Sequence, residues 1–549
     1  MRTDAEIGLS FRLKPIDEIA GGLGIPEERL IHYGRHIAKV DSRLLDELRE
    51  RPDGRLILVT AMSPTPSGDG KTTLTIGIAQ SLRLLGKKAA ACLRQPSLGP
   101  FFGAKGGATG GGYSQVLPAG DITIQFTGDD YAITTAHNFI SSIIDNHIFH
   151  DTLPIDPERI LWPRASTVND RTLRKLRVPV GKSGGERAEE FVISAASELM
   201  SILSLSLNLT DFRERAGRIV VAFSRDGRPV TVGDLGVTGA VAALFKNAIH
   251  PNLVQSNEGA PVFIHGGPFG NISIGCSSLL ATRLALKSAD YVLTEAGFAT
   301  ELGAEKFFDI KCRYGGLKPS VAVIVATLKA LRLHGGSKDY LKEDTTSMIK
   351  GLENIEKHIE NIKKFGVPFI VAVNRYHDDT DGEILALRRA LGDKGIPAHL
   401  VDVRERGGAG GVEAAEALVE LTQNPCDFKY LYPLEIPVAD KINIVAREMY
   451  GASGVEFTGE AKRDIAEAVR LGFSTLPVCI AKTPKSLSDD PNLLGRPTGF
   501  KVAVRRVKID AGAGFLVAIC GNVLLMPGLP MHPLAEEIDI NSDGTIRGF

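Results

Sequence analysis

Short apolar runs rich in β-branched residues alternate with amphipathic helical stretches along this sequence, and this alternation constrains the fold most. Such runs occupy residues 55–62, 218–224, 260–266, 320–331 and 367–376, and "KTTLTIGIAQSLRLLG" (71–86) is one of the helical stretches between them. Apolar runs of this kind are typical of strands that helices cover on both faces. We therefore expect an α/β fold of βαβ units around a mainly parallel sheet.

The chain of 549 residues is too long for one small core, and a prior of about 150 residues per domain suggests several domains. We expect a main domain at 1–360, a smaller α/β domain at 361–435 and a mixed α/β domain at 436–549. The third domain is expected because residues 500–530 alternate between apolar and polar and are broken by Gly and Pro.

Composition excludes several classes of partner. Lys and Arg number 64 and Asp and Glu 65, so no basic field attracts nucleic acid or an anionic membrane.

The six cysteines are scattered without a CxxC pair, which argues against a zinc site or disulfides and fits a reducing compartment. The first residues carry acids and lack the apolar core of a signal peptide, and no apolar run reaches 18 residues. We expect a cytoplasmic protein that acts on small molecules.

The strongest local motif is "TPSGDGKTT", which follows a strand-like run and opens a helical stretch. A phosphate-binding loop has this context, because N–H groups at a helix N-terminus hold phosphate oxygens. We expect Lys71 on the β- and γ-phosphates and the Thr72 hydroxyl on Mg²⁺. The ATP-binding residues are then Thr65, Pro66, Ser67, Gly68, Asp69, Gly70, Lys71 and Thr72. Thr65 replaces the first glycine of the strict pattern, and the alternative interpretation is an ordinary glycine-rich turn.

Other candidates follow strand-like runs, where the ligand crevice of a parallel sheet lies. Arg94 begins "RQPSLGPFFGAKGGATGGGY", and the seven glycines of residues 93–113 would let backbone approach an anion. Asn374 is a candidate reader of the nucleotide base, although a capping role in a turn is as good an interpretation. Five further candidates are better explained individually by packing: His265, Phe298, Asp309, Lys311 and Arg313.

The chain resembles the formate–tetrahydrofolate ligase (10-formyltetrahydrofolate synthetase) family over essentially its whole length. The motifs that carry the resemblance are "PTPSGDGKTT", "LRQPSLGPFFGAKGGATGGGYSQVLP", "FTGDDYAITTAHN", "IHGGPFGNISIGC", "GFATELGAEKFFDIKCR", "LPVCIAKTPKSLSDDPNLLGRP" and "AGAGFLVAICGNVLLMPGLP". They occur in the family's order. The expected fold is accordingly α/β with a P-loop-type parallel sheet core and additional smaller α/β domains.

The resemblance implies an ATP-dependent C–N bond-forming ligase of one-carbon metabolism. Formate would take the γ-phosphate of MgATP to give formyl phosphate, and tetrahydrofolate would then accept the formyl group. Lys71 and Arg94 would be catalytic, Phe298 would line the formyl phosphate pocket, and Tyr376 and Arg404 would lie in the pterin pocket. A monovalent cation (K⁺ or NH₄⁺) as activator and a homotetramer are also implied. Residues 1–360 would bind nucleotide and activate formate, and 361–435 would contribute to the folate pocket.

Three positions depart from the family pattern. Gln95 stands where the family carries a glutamate, Arg404 where it carries a pterin-stacking tryptophan, and Ile274 where it carries a histidine. Arginine stacks on an aromatic face for about 0.5–2 kcal/mol, so the change at 404 predicts roughly tenfold weaker folate binding. Two alternatives stay open: a formyl phosphate-forming ligase for another reduced pterin or amine, and a P-loop switch ATPase.

Overall fold

The phosphate-loop motif lies between a fully buried strand and a long helix, as the sequence predicts. The computed structural model of the chain describes residues 2–103, 108–181 and 185–548. The strand covers Arg55–Ala61 and the helix covers Lys71–Leu84. Gly70 caps the helix in the left-handed region with φ 74°, a conformation that glycine adopts without steric cost.

The strands, numbered along the chain, begin with a set that extends to the middle of the sequence. They are β1 (Leu30–His32), β2 (Ala38–Val40), β3 (Arg55–Ala61), β4 (Ala89–Leu93), β5 (Gly110–Gly111), β6 (Ser114–Leu117), β7 (Ile155–Ile160), β8 (Arg164–Ser166), β9 (Leu176–Val180), β10 (Gly185–Glu189), β11 (Phe191–Ile193), β12 (Val220–Ser224) and β13 (Pro229–Thr231). The second set is β14 (Asn252–Ser256), β15 (Pro261–Ile264), β16 (Tyr291–Glu295), β17 (Pro319–Ala326), β18 (Phe369–Asn374), β19 (Ala398–Val401), β20 (Gly454–Phe457), β21 (Val478–Ala481), β22 (Lys501–Asp510), β23 (Phe515–Cys520), β24 (Asp539–Ile540) and β25 (Ile546–Arg547).

The helices fall mostly between these strands. They are α1 (Asp4–Leu9), α2 (Ile16–Leu23), α3 (Leu44–Glu47), α4 (Lys71–Leu84), α5 (Leu98–Gly103), α6 (Ala119–Ile124), α7 (Asp129–His150), α8 (Glu198–Leu205), α9 (Leu209–Gly217), α10 (Thr238–Leu244), α11 (Leu279–Ser288), α12 (Arg313–Gly315), α13 (Leu328–His334), α14 (Thr345–Lys350), α15 (Leu352–Lys364), α16 (Asp381–Asp393), α17 (Val403–Arg406), α18 (Val412–Leu421), α19 (Val438–Val445) and α20 (Gly459–Arg470). Segments of π-helix cover Thr300–Ala304, Phe307–Cys312 and Ala446–Tyr450, and 3₁₀ turns cover Glu27–Arg29, Arg171–Arg174, Ser194–Ala196, Gly407–Gly411 and Leu534–Glu536.

One large sheet organises the chain, in the order β1-β2-β14-β15-β4-β16-β3-β17-β18-β19. The strands from β15 to β19 in this order are all parallel to their neighbours, whereas β1, β2, β6 and β14 add an antiparallel margin. A mixed α/β fold with a large, mostly parallel sheet is therefore confirmed. The carboxyl ends of the parallel strands meet at one edge, where the phosphate loop begins.

Both faces of this sheet are covered. Ile57 and Val59 of β3 belong to a core shared with α4 and α18, whereas Leu56 and Leu58 belong to a larger core shared with α11 and α13. Alternate residues of a strand point to opposite faces, so a run that is apolar throughout is the pattern that two covered faces require. Among the described residues, no helix combines the length and apolar character needed to cross a membrane.

Two parts of the chain lie outside the main sheet. The apolar run at 218–224 forms β12, which pairs antiparallel with β13 and β7 in a small separate sheet. The expectation that this run belongs to the parallel sheet was wrong, because an apolar run does not reveal the direction of its partners. Residues 454–520 form a mixed sheet in the order β20-β22-β23-β21, in agreement with the alternation in the sequence.

The predicted division into domains stays a proposal. The boundary at 360 falls inside α15, and β18 and β19 continue the large sheet beyond it, so the pairing favours moving this boundary toward the C-terminus. The boundary at 435 falls just before α19, and the four-stranded mixed sheet follows it.

Candidate active site

Residues 65–72, predicted to bind phosphate, form a loop with two glycines in the left-handed region. Gly68 and Gly70 take positive φ angles of 84° and 74°, and Thr65 Oγ1 donates to the carbonyl of Gly68 at 3.1 Å. A Cβ added to Gly70 would lie 2.6 Å from Asn374 Nδ2, so position 70 has no room for a side chain. The loop thus ends at the α4 N-terminus, where unpaired N–H groups favour an anion.

Lys71 lies in a charged and largely buried environment. Burial lowers the pKa of Lys71, the carboxylates of Asp69, Glu295 and Glu301 oppose that shift, and the charge of Arg94 adds to it. Lys71 is the first residue of α4 and Arg94 follows β4, and the fold brings them close enough for the charge of Arg94 to act on Lys71. Two neighbouring cations on the same edge of a sheet are suited to an anionic ligand.

Thr72 has a partner that the sequence did not single out. Its Oγ1 donates to Glu295 Oε2 at 2.7 Å, and Glu295 is the last residue of β16, directly beside β3. Glu295 is only 6% exposed. A hydroxyl and a carboxylate side by side provide the oxygen ligands that Mg²⁺ prefers. The available signal was an acid at the end of "YVLTE", since that strand ends at the same edge.

Arg94 follows β4 directly, and among the described residues its guanidinium forms no hydrogen bond or ion pair. The next residue, Gln95, is held by its N–H, which donates to the carbonyl of Gly266 at 2.8 Å. A Cβ on Gly267 would lie 2.7 Å from the carbonyl oxygen of Gln95. The glycine-rich loop after β15 therefore packs against the segment that carries Arg94.

The described parts of the glycine-rich segment 93–113 pack against other parts of the chain. Residues 98–103 form the short helix α5, and residues 104–107, including Lys105, lie outside the described part of the chain. A Cβ on Gly112 would lie 2.1 Å from the carbonyl oxygen of Arg404, and one on Gly99 would lie 2.5 Å from Asn169 Oδ1. At these positions glycine admits other parts of the protein rather than a ligand.

Phe298 lies three residues beyond Glu295, at the same edge of the sheet. Its φ is 62°, which is strained for an aromatic residue, and its ring packs against Gly270, where a Cβ would lie 2.9 Å from Phe298 Cε2. Strained, half-buried aromatic residues of this kind concentrate at ligand sites.

Tyr376 and Asn374 lie at the end of β18, next to the phosphate loop. Asn374 Nδ2 donates to the carbonyl of Asp69 at 3.0 Å, so this amide supports the loop. Lys329 Nζ lies 4.7 Å from the centroid of the Tyr376 ring, a cation–π distance. Burial raises the pKa of the Tyr376 phenol, which therefore stays protonated.

Arg404 is bound to the N-terminal helix. Its Nη2 donates to Asp4 Oδ1 at 2.8 Å, the Gly112 N–H donates to the same oxygen at 3.0 Å, and the Tyr113 N–H donates to the Arg404 carbonyl at 2.7 Å. The guanidinium is close enough to Tyr376 to influence its pKa. Its predicted role beside a pterin thus competes with an ion pair that the sequence did not indicate.

A family model for formate–tetrahydrofolate ligase matches residues 2–549. The chain belongs to the formate–tetrahydrofolate ligase family. It is therefore an enzyme, an ATP-dependent ligase, and the family implies use of formate, ATP and tetrahydrofolate. The matched range includes all three positions that depart from the family pattern, Gln95, Ile274 and Arg404.

Behind the phosphate loop, this ligase has a buried polar network that sequence reasoning missed. His358 accepts from the Ser63 N–H at 2.9 Å through Nε2, and its Nδ1 lies 2.7 Å from Thr300 Oγ1. Glu301 Oε1 lies 3.4 Å from Lys482 Nζ, and both side chains are fully buried. Because these residues come from distant segments, no local motif predicts that they meet.

The remaining charged candidates have structural partners in the ligase. His265 is bonded to Ser278 Oγ at 2.8 Å and to the Ala248 carbonyl at 2.7 Å, and burial lowers its pKa to about 4. Lys311 donates to Thr282 Oγ1 at 2.9 Å. Arg313 pairs with Asp309 at 3.0 Å. These contacts agree with the packing interpretation.

Proposed function

We propose that this enzyme makes 10-formyltetrahydrofolate by first converting formate and MgATP into formyl phosphate and ADP, and then transferring the formyl group to the N10 amine of tetrahydrofolate with release of phosphate. The observation that carries the proposal is the position of Lys71 at the α4 N-terminus and of Arg94 directly after β4, close enough for the charge of Arg94 to lower the pKa of Lys71. Phosphoryl transfer is catalysed mainly by positioning and by neutralising charge, and two cations supply both.

In the proposed first step, N–H groups of residues 68–72 hold the phosphates of ATP. Lys71 balances charge on the transferred phosphoryl group, and Arg94 holds the carboxylate of formate and later formyl phosphate. Thr72 and Glu295 would hold Mg²⁺, which neutralises phosphate charge when bound. Their 2.7 Å hydrogen bond supports this role, because the Thr72 hydroxyl donates its hydrogen to Glu295 and its lone pairs stay free for a metal. Asn374 as the reader of the base remains part of the proposal.

A monovalent cation has a candidate site beside Gln95. A cavity of about 510 Å³ is lined by Gln95, Thr123 and Asp130. Gln95 Oε1 and Thr123 Oγ1 are buried and have no hydrogen-bond partner among the described residues. An amide oxygen, a hydroxyl and a carboxylate are suitable ligands for K⁺. Because Gln95 is neutral where the family has a glutamate, we expect weaker cation binding than a carboxylate there would give.

In the proposed second step, Phe298 lines the formyl phosphate pocket and Tyr376 carries the pterin ring. One observation favours a different reduced pterin as the acceptor of the formyl group. Arg404 occupies the position of the family's stacking tryptophan and is paired with Asp4. A homotetramer and a cytoplasmic location complete the proposal, and sedimentation of the purified protein tests the first of these.

The decisive experiment incubates purified protein with ATP, formate and tetrahydrofolate, and omits each in turn. We expect 10-formyltetrahydrofolate, ADP and phosphate in equal amounts, and product only when all three substrates are present. Hydroxylamine added in place of the folate traps formyl phosphate as the hydroxamate. ATP hydrolysis that does not need formate would refute the proposal. Faster turnover of another reduced pterin would favour that pterin as the acceptor.

A further inference from the structure

Asp69 is a buried carboxylic acid inside the phosphate loop, and no role has yet been given to its side chain. The residue is 2% exposed. Its Oδ1 accepts from Thr327 Oγ1 at 3.1 Å, whereas its Oδ2 has no hydrogen-bond partner among the described residues. A buried carboxyl oxygen without a partner is costly, so such an atom suggests a partner that arrives with the substrate.

The surroundings of Asp69 place it between the two halves of the proposed active site. On one side is Lys71. Burial raises the pKa of the Asp69 carboxyl to about 6, and the positive charge of Lys71 partly opposes this shift. On the other side is Tyr376, whose pKa is raised further by the charge of Asp69. A Cβ on Gly70 would lie 3.7 Å from the Tyr376 hydroxyl, so the backbone next to Asp69 touches the residue proposed to hold the pterin.

The transfer step needs a proton acceptor at this boundary. Attack of a secondary amine on formyl phosphate forms an N–C bond and leaves a proton on a positively charged nitrogen. That proton must leave before the C–O bond to phosphate breaks and phosphate departs with the electron pair. Lys71 and Arg94 are cationic, the Tyr376 phenol is protonated, and Glu295 accepts from Thr72.

Resting on the proposed function, we propose that Asp69 is the catalytic base of the transfer step, taking the amine proton on its unpartnered Oδ2. The protonated acid then returns the proton to the released phosphate or to water. The other charged groups facing the pair are Glu295, Glu301 and Arg94, which act on Asp69 through Lys71. A carboxyl that titrates near pH 6 is ionised at neutral pH and is still basic enough to remove the proton.

The test compares the two half-reactions in Asp69→Asn, which keeps the volume of the side chain and an oxygen for Thr327. Asparagine keeps the backbone N–H of the loop but removes a charge beside Lys71, so formate-dependent hydroxamate formation at saturating MgATP is measured for each variant and serves as its reference rate. The proposal requires transfer to lose far more than this reference rate, because the first step needs no base. Formyl transfer to tetrahydrofolate should fall by about 10²–10⁴-fold, the usual contribution of a general base. Asp69→Glu restores a carboxylate and should recover part of the transfer rate.

The matched control is Asp379→Asn. Asp379 is also buried, but its Oδ1 lies 3.8 Å from Arg332 Nη2 in an ion pair, and its Oδ2 accepts from the Tyr376 N–H at 2.8 Å. It therefore supports the backbone that carries the Tyr376 ring without the proposed chemistry. We expect this variant to change the KM for the acceptor and to leave the transfer kcat near wild type. The two variants therefore separate proton transfer from support of the pocket.

The pH profile gives an independent readout. The rate of wild-type transfer should decrease as pH falls through about 6, because protonated Asp69 cannot accept a proton. We call this decrease the acidic limb of the pH profile, and it should be absent in Asp69→Asn. Thr327→Val removes a hydrogen bond that lowers the pKa of Asp69, so it should move the limb to higher pH.

The inference is overturned if Asp69→Asn transfers at the wild-type rate, if it loses hydroxamate formation and transfer equally, or if the acidic limb survives. Failure of the wild type to form hydroxamate from ATP and formate would instead refute the proposed function itself.

Discussion

Replacing Glu295 by Gln tests the proposed metal site with little change in shape. Glu295 Oε2 accepts from Thr72 Oγ1 at 2.7 Å, and a glutamine oxygen accepts in the same position without the charge. A hydrogen bond to a charged group contributes about 1.5–3 kcal/mol. The hydrogen bond to Thr72 is already present without MgATP, so what the variant loses on binding is the carboxylate charge beside Mg²⁺. Taking that charge to contribute about 1.5–3 kcal/mol, we expect affinity for MgATP to fall by about 10- to 150-fold, since 1.4 kcal/mol is one decade.

The assay is equilibrium titration of ATP with and without Mg²⁺ on wild type, Glu295→Gln, Thr72→Val and the double variant. Without Mg²⁺ we expect Glu295→Gln to bind ATP as well as wild type or better, because one negative charge near the phosphates is gone. Thr72→Ser keeps the hydroxyl and serves as the control. Equal losses with and without Mg²⁺, or additive losses in the double variant, would refute the reasoning, because residues that share one ion must couple.

Three further predictions concern the departures from the family and the buried histidines. Arg404→Trp should raise affinity for tetrahydrofolate by about tenfold in equilibrium binding, while Asp4→Asn, which only releases the arginine, should not; equal effects would show that the ion pair alone matters. Gln95→Glu should increase the stimulation of ligase activity by K⁺ over Na⁺, and an unchanged ratio would argue against the cavity as the cation site. The stability that His265 and His334 contribute should decrease as pH falls from about 6.5 toward 4, because each has a pKa lowered to about 4 and stays neutral in the folded state while the unfolded chain takes up protons. Buried acids with a raised pKa, such as Asp309 at about 7, act in the opposite direction, so the quantity to measure is the difference between wild type and His265→Asn. Denaturant midpoints at pH 7 and pH 5 check the sign, and His265→Asn should reduce the difference.

The sequence predicted the main architecture because the signal was periodic and local. The strand before the phosphate loop, the helix after it and the strands at 261–264 and 291–295 all appear where apolar runs indicated them. The apolar runs did not indicate whether a strand pairs parallel or antiparallel with its neighbours. Thus 218–224 became an antiparallel strand in a small separate sheet.

The site was predictable only in its local part. The position of the glycine-rich loop between a strand and a helix could be predicted, and so could the position of Arg94 at a strand end. The hydrogen bond between Thr72 and Glu295 joins residues 223 positions apart, and the Asp4–Arg404 pair spans 400 positions. Such contacts depend on the order of strands in the sheet, which no single segment encodes. The positive φ of Phe298 is likewise invisible in the sequence.

The junction of Asp4, Gly112 and Arg404 has a consequence for how this enzyme can be altered. Arginine at 404 satisfies an acid from the first helix, and the carbonyl of the same residue occupies space that only a glycine at 112 leaves open. Substitutions at these three positions should therefore affect one another. An aromatic residue at 404 in place of arginine removes the ion-pair partner of Asp4. Libraries aimed at new acceptor specificity will sample productive combinations only if they vary positions 4 and 404 together and keep 112 as glycine.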